Sequence, residues 1–166
     1  MIESRSSTDL VLALVRVING DLPRLAAQEI LDPMVQMRMD SVDYCGIDSW
    51  YKWIHLIRNC GRVSDLRMTH CQARCDPLEP CLVHLSARWA GKLRSGRTRS
   101  ESATGEVRYL VQDGRIKKIW THRSNYEFIF GRWIKNPIGY RLLLGWAALY
   151  FALLSLRKRD FLADPD

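Results

Sequence analysis

The chain has 166 residues, 47% of them hydrophobic and 26% charged, which suits one folded domain with a sizeable core and excludes a largely disordered chain. Lys and Arg outnumber Asp and Glu by 25 to 18, for a net charge of +7, yet the basic residues form no dense block. Arg94-Ser-Gly-Arg97-Thr-Arg99 reads as a basic loop and Arg157-Lys158-Arg159 as the end of an apolar helix, so the expectation is a solvated basic surface with no nucleic-acid partner.

Residues 8–19, TDLVLALVRVIN, place apolar side chains at helical spacing, with Thr8 or Ser7 as the start and Gly20 just past the end. Pro23 opens a second short helix to about Ile30. In MVQMRMD, residues 34–40, Val35, Met37 and Met39 share one face and Gln36, Arg38 and Asp40 the other. That pattern is a strand, half-buried or facing a polar cavity. Gly46 to Cys60 is a helix whose stripe of Ile47, Trp50, Ile54 and Ile57 is widened by Trp53. Three long β-type runs follow, at about 65–76, 81–93 and 98–111, and Gln112-Asp113-Gly114 turns the chain into a return strand at 115–123. Helix, helix, strand, helix and four strands predict an α+β fold, with the helices on one face of an antiparallel sheet.

The tail, GYRLLLGWAALYFALLSLRKRD, holds an uncharged stretch from Leu142 to Leu156, shorter than the ~20 residues a spanning helix needs. Packing on the sheet or on a second subunit is the first expectation. Contact of 140–159 with a membrane surface is the second, since Tyr140 and the terminal basic run suit an interface. The expected division is a domain at 1–130 and a helical extension at 131–166.

Five cysteines, an odd count, follow a polar start without secretory pattern, so reduced thiols and a cytoplasmic location are expected, with membrane association through the tail as the second reading. Cys71, Cys75 and Cys81 with His70 match no zinc spacing. No GxGxxG, GxxxxGK[ST], HExxH or GxSxG occurs, and neither a cofactor nor a metal is expected.

Four stretches carry a resemblance: Asn19-Gly20-Asp21 after the first helix, Leu31-Asp32-Pro33 leading into MVQMRMD, Gly46 opening the third helix, and Tyr109-Leu-Val-Gln-Asp-Gly-Arg-Ile-Lys-Lys-Ile-Trp120. In order and spacing they resemble the nuclear transport factor two-like cone fold, whose members include SnoaL-like polyketide cyclases, ketosteroid isomerase, limonene epoxide hydrolase and scytalone dehydratase. The likeness covers about residues 8–125. It implies a curved sheet wrapping a helix around an apolar pocket whose polar groups decide the chemistry.

Carried over residue by residue, the resemblance makes Arg38, Tyr109 and His70 the catalytic candidates. Arg38 sits where ketosteroid isomerase has its general base; an arginine would instead bind a carboxylate or steady an oxyanion. Tyr109 would donate to a substrate oxygen. His70 lies on the strand that in scytalone dehydratase carries a histidine able to move a proton. Trp50, Ile54, Asp40, His84, Thr121 and His122 are the substrate-contact candidates. Thr121 stands where many SnoaL-like cyclases have an acid, and His122 follows it.

The implied activity is a cofactor-independent isomerisation, cyclisation or dehydration of a hydrophobic polyketide- or terpenoid-like molecule, by a protein that resembles homodimeric enzymes. The alternative is a non-catalytic module that holds an apolar ligand or docks a membrane or partner. An epoxide hydrolase would need carboxylates around a water, for which Asp40 and Glu127 are the nearest acids.

Overall fold

A computed structural model describes residues 6–96 and 100–156. The start of the third β-type run and Arg157-Lys158-Arg159 lie outside the described residues. Helix α1 (Ser7–Asn19) is capped by Ser6 rather than by Ser7 or Thr8. Asp9 decides this: its N–H donates to Ser6 Oγ at 3.2 Å and its carboxylate accepts the Ser6 N–H at 3.3 Å, a reciprocal pair that satisfies two orphan donors. Gly20 ends the helix in the left-handed conformation, φ 79°. A 3₁₀ turn at Arg24–Ala26 runs into the one-turn α2 (Ala27–Ile30).

Strand β1 (Leu31–Met39) pairs with a short β2 (Val42–Cys45), and α3 (Ile47–Asn59) follows. The remaining strands are β3 (Val63–Cys75), β4 (Leu82–Leu93), β5 (Ser100–Glu101), β6 (Gly105–Gln112) and β7 (Arg115–Thr121). The run expected at 98–111 is thus broken. Ser102 breaks it, because its Oγ accepts the Trp89 N–H at 2.8 Å and donates to the Ala103 carbonyl at 2.7 Å, diverting the chain from the ladder.

The sheet runs β2-β1-β7-β6-β4-β3, with β5 added beside β4. It is mixed, not antiparallel throughout as the element order suggested, because β1 and β7 pair in parallel. The chain between them passes through α3 and five strands. So long a connection imposes no hairpin, and the direction is free.

Alternation sorts the two faces. Val35, Met37 and Met39 of β1, Ile116 and Ile119 of β7, Tyr109 and Val111 of β6, and Val83, Leu85 and Ala87 of β4 are buried beneath the helices. Trp50, Trp53, Ile54, Leu56 and Ile57 of α3 fill the concavity, with Leu10, Val11 and Leu14 of α1. Asn19 pins α1 to β3: its Nδ2 donates to the Met68 carbonyl at 3.0 Å and its Oδ1 accepts the Met68 N–H at 2.7 Å.

After β7 come a 3₁₀ turn (Arg123–Tyr126), α4 (Glu127–Phe130), another 3₁₀ turn (Arg132–Lys135) and α5 (Pro137–Leu156). Helix α5 packs along α3. Tyr150 Oη lies 2.7 Å from His55 Nδ1, Lys52 Nζ donates to Ser155 Oγ at 2.9 Å, and the Phe151 ring meets Trp53 edge-on at 5.6 Å.

Two stability outcomes follow from these contacts. Asn19→Ala leaves the Met68 N–H and C=O without their partner, and denaturant unfolding is expected to show a loss of about 1–3 kcal/mol. Asp32 is held below its usual 3.8, first by the hydrogen bond from Lys117 Nζ and then by the Met34 N–H. Its folded value is depressed, so its contribution is complete above about pH 3.8 and disappears as pH falls further. Melting temperature followed down through pH 3 should fall less steeply in Asp32→Asn than in the parent.

Candidate active site

The parallel register sets Met39 opposite Thr121, and so brings the next residues, Asp40 and His122, together. Asp40 leaves β1 in the left-handed region, φ 51°, and its N–H donates to the Thr121 carbonyl at 3.2 Å. Asp40 Oδ1 lies 3.1 Å from His122 Nε2. On the other side of the ring, Ser124 Oγ lies 2.7 Å from His122 Nδ1, and the Ser124 N–H donates to the same nitrogen at 3.2 Å. A backbone N–H can only donate, so Nδ1 is the bare nitrogen and the imidazole proton sits on Nε2, facing Asp40. Carboxylate, imidazole and hydroxyl form one chain.

Asp40 is the anchored member. Its Oδ2 is buried without a hydrogen-bond partner, and the Arg123 guanidinium stands 3.9 Å away. Arg123 also lies over the Tyr140 ring at 5.5 Å. Tyr140 donates to the Met39 carbonyl at 3.0 Å, and burial, reinforced by the nearby Asp40 charge, pushes its phenol well above the ordinary value. Tyr140 is therefore a fixed neutral donor that holds the backbone beside Asp40.

Ser124 also lines a cavity of about 540 Å³. This cavity lies between the inner face of β3, β4 and β6 and the segment that follows β7. Met68, Ala87, Trp89, Val107 and Phe128 form its apolar part. Arg62, Arg88, Arg132 and Lys135 bring four cations against the two carboxylates of Glu101 and Glu127. Glu127 is held by Lys135 at 3.0 Å and Arg132 at 3.5 Å, and Arg88 reaches Glu101 at 3.6 Å. Asn125 closes one wall: its Nδ2 donates to the Glu106 carbonyl at 2.8 Å and to Thr121 Oγ1 at 3.1 Å.

The three residues expected to be catalytic are elsewhere. Arg38 is on the outer face, where alternation with buried Met37 and Met39 must put it, and its Nε pairs with Asp43 at 3.0 Å. His70 sits at the irregularity in the β3–β4 pairing, φ 51°, with its side chain two-thirds exposed and 3.5 Å from Glu101. It touches a wall residue without lining the cavity. Tyr109 does point inward, but it is part of the core, and burial drives its phenol far above the usual value. It is a neutral phenol of the core and does not line the cavity.

Of the expected substrate contacts, Trp50 and Ile54 are core residues away from the cavity. His84 is on the outer face of β4, bonded to Asp76 at 3.2 Å. Thr121 is buried and engaged by Asn125. Asp40 and His122 are brought together, and neither lines the cavity itself. Ser124 and the cavity cations escaped the sequence reading. The one local signal was the His122-x-Ser124 spacing, which suits a side-chain cap at the end of a strand.

Solved structures with the same fold include a provisionally named polyketide cyclase from Xanthomonas campestris, at 14% identity and TM-score 0.57, covering 70% of this chain and 88% of that one. A SnoaL-like polyketide cyclase from Agrobacterium tumefaciens, at 14% identity and TM-score 0.51, covers 70% of this chain and 90% of that one. An NTF2-like protein of unknown function from an Exiguobacterium species, at 13% identity and TM-score 0.52, covers 70% and 96%. No protein-family model and no curated protein matches the chain.

The tautomer is directly testable. In the neutral protein, ¹⁵N shifts of His122 should report a protonated Nε2 and a bare Nδ1. The Ser124→Ala variant should keep that pattern, because the Ser124 N–H and Asp40 still enforce it. A dominant Nδ1–H form would contradict the chain of hydrogen bonds described here.

Proposed function

We infer the function from the fold, an α+β cone shared with an NTF2-like protein and with proteins named as polyketide cyclases. From that premise we propose that this chain is a cofactor-independent acid–base enzyme acting on a hydrophobic, oxygen-bearing small molecule by isomerisation, cyclisation or dehydration. The observation that carries this reading is the Asp40–His122–Ser124 chain ending on a cavity of about 540 Å³, a size within the range of small-molecule sites.

The chemistry follows from the order of groups. Ser124 Oγ takes a proton from a substrate carbon or hydroxyl while its own proton passes to His122 Nδ1. The imidazolium that forms keeps its Nε2–H on Asp40, whose buried charge offsets it. The electron pair left on the substrate moves onto an oxygen, and the cationic side chains of the wall favour that oxyanion. Return of the proton to another carbon gives an isomer. Return to a leaving hydroxyl gives dehydration, and attack of the carbanion on a second carbonyl closes a ring. The apolar wall of Met68, Ala87, Val107 and Phe128 suits a carbon skeleton rather than a sugar or nucleotide.

The test does not require the natural substrate. Apolar polyketide-like and terpenoid ketones are incubated with the purified protein in D₂O, and mass spectrometry follows deuterium uptake next to the carbonyl. His122→Gln and Ser124→Ala are each expected to slow uptake and any product formation by about 10²-fold or more while melting like the parent. A ligand that is retained without exchange, and equally well by both variants, would replace the enzyme by a binding module.

A further inference from the structure

We propose that the outward ridge of α5 docks this protein on the surface of an anionic lipid bilayer, with the helix lying in the headgroup plane. Helix α5 has two distinct sides. Tyr140, Leu143, Ala147 and Leu154 are buried against the body of the protein. Ile138, Leu142, Trp146, Leu149, Leu153 and Leu156 are exposed, Leu142 at 66% and Leu156 at 79%. Their spacing of four, four, three, four and three residues keeps them within about 80° of one another around the helix at 100° per residue. A continuous apolar ridge along five turns is unlike the scattered exposed leucines of ordinary surfaces, and it calls for an occupant.

Charge identifies that occupant. From Phe128 to Arg159 the sequence contains Arg132, Lys135, Arg141, Arg157, Lys158 and Arg159 and no acidic residue. Exposed Trp133 and Trp146 add the aromatic rings that favour the headgroup level. A second copy fits poorly. Parallel pairing of two ridges sets Arg141 against Arg141, and no acidic residue within Pro137–Leu156 offsets Arg141 in either orientation. Anionic headgroups neutralise the same cations while the ridge enters the acyl boundary.

The helix lies on the bilayer and does not cross it. By length and composition Pro137–Leu156 could span. However, the uncharged part from Leu142 to Leu156 rises only about 22 Å, against a hydrocarbon core of about 30 Å. The opposite side is tied to the domain through Tyr150–His55, Lys52–Ser155 and Tyr140–Met39, contacts that insertion would break.

Flotation of the full chain with vesicles tests this, comparing phosphatidylcholine containing 30% phosphatidylserine with pure phosphatidylcholine at low salt. Binding to the anionic vesicles should exceed binding to the neutral ones by about tenfold or more. Alkaline carbonate should strip the bound protein. Arg141→Ser should weaken binding about fivefold without touching the packed side. Leu142→Glu with Leu149→Glu should abolish it. Equal binding to both vesicle types, no binding, or carbonate resistance would each overturn the proposal. So would a dimer that the double variant dissociates in a protein that ignores vesicles, which would make a second copy the occupant.

Discussion

The parallel pairing of β1 with β7 is the constraint on which the rest of the structure depends. It joins the β1–β2 pair to the rest of the mixed sheet through the last hairpin, and its register sets Met39 beside Thr121. A slip of one residue would move every side chain of β1 to the other face. Met37 and Met39 would leave the core, and Asp40 would lose His122. The same hydrophobic alternation that makes β1 a core strand therefore aligns the polar residues that follow each strand.

Those residues lie apart from the packed core. The core is filled by Trp50, Trp53, Tyr109, Met37 and Met39, where polar tips are few and the phenol of Tyr109 is kept neutral by burial. The polar groups gather where strands end and turns begin. There the backbone can adopt the left-handed φ of Asp40, and a side chain such as His122 can cap the next turn. Ser124 stands at the junction of the hydrogen-bonded chain and the open cavity.

The C-terminal helix is joined to this arrangement by more than proximity. Tyr140, near the start of α5, donates to the carbonyl of Met39, one residue before Asp40, and carries the Arg123 guanidinium on its ring. Farther along, Phe151 and Trp53 meet edge-on, and Tyr44 of β2 packs against both rings. One side of the helix thus supports the strand that bears Asp40. The other is a ridge of leucines with cationic flanks and no partner within the described part of the chain.

Periodicity and turn signals determined the longer elements and the inward face of most of them. The apolar stripe of α3, the alternation of Val35, Met37 and Met39, and the Asp113-Gly114 turn were all legible, because they are imposed by local geometry on neighbouring residues. Local pattern also carried the α+β class, whereas the cone fold was implied by the resemblance of four short stretches to a known family. It could not carry strand direction, since nothing near Leu31 or Arg115 records that β1 and β7 run in parallel. Nor could it say which polar residues meet. Arg38 read as a pocket group but shares the outward phase of Gln36. His122 read as a substrate-contact candidate next to Thr121, and only the register placed it against Asp40. Pairs separated by eighty residues are decided by the tertiary fold, because their contact depends on the register between strands and not on any property of the chain near either one.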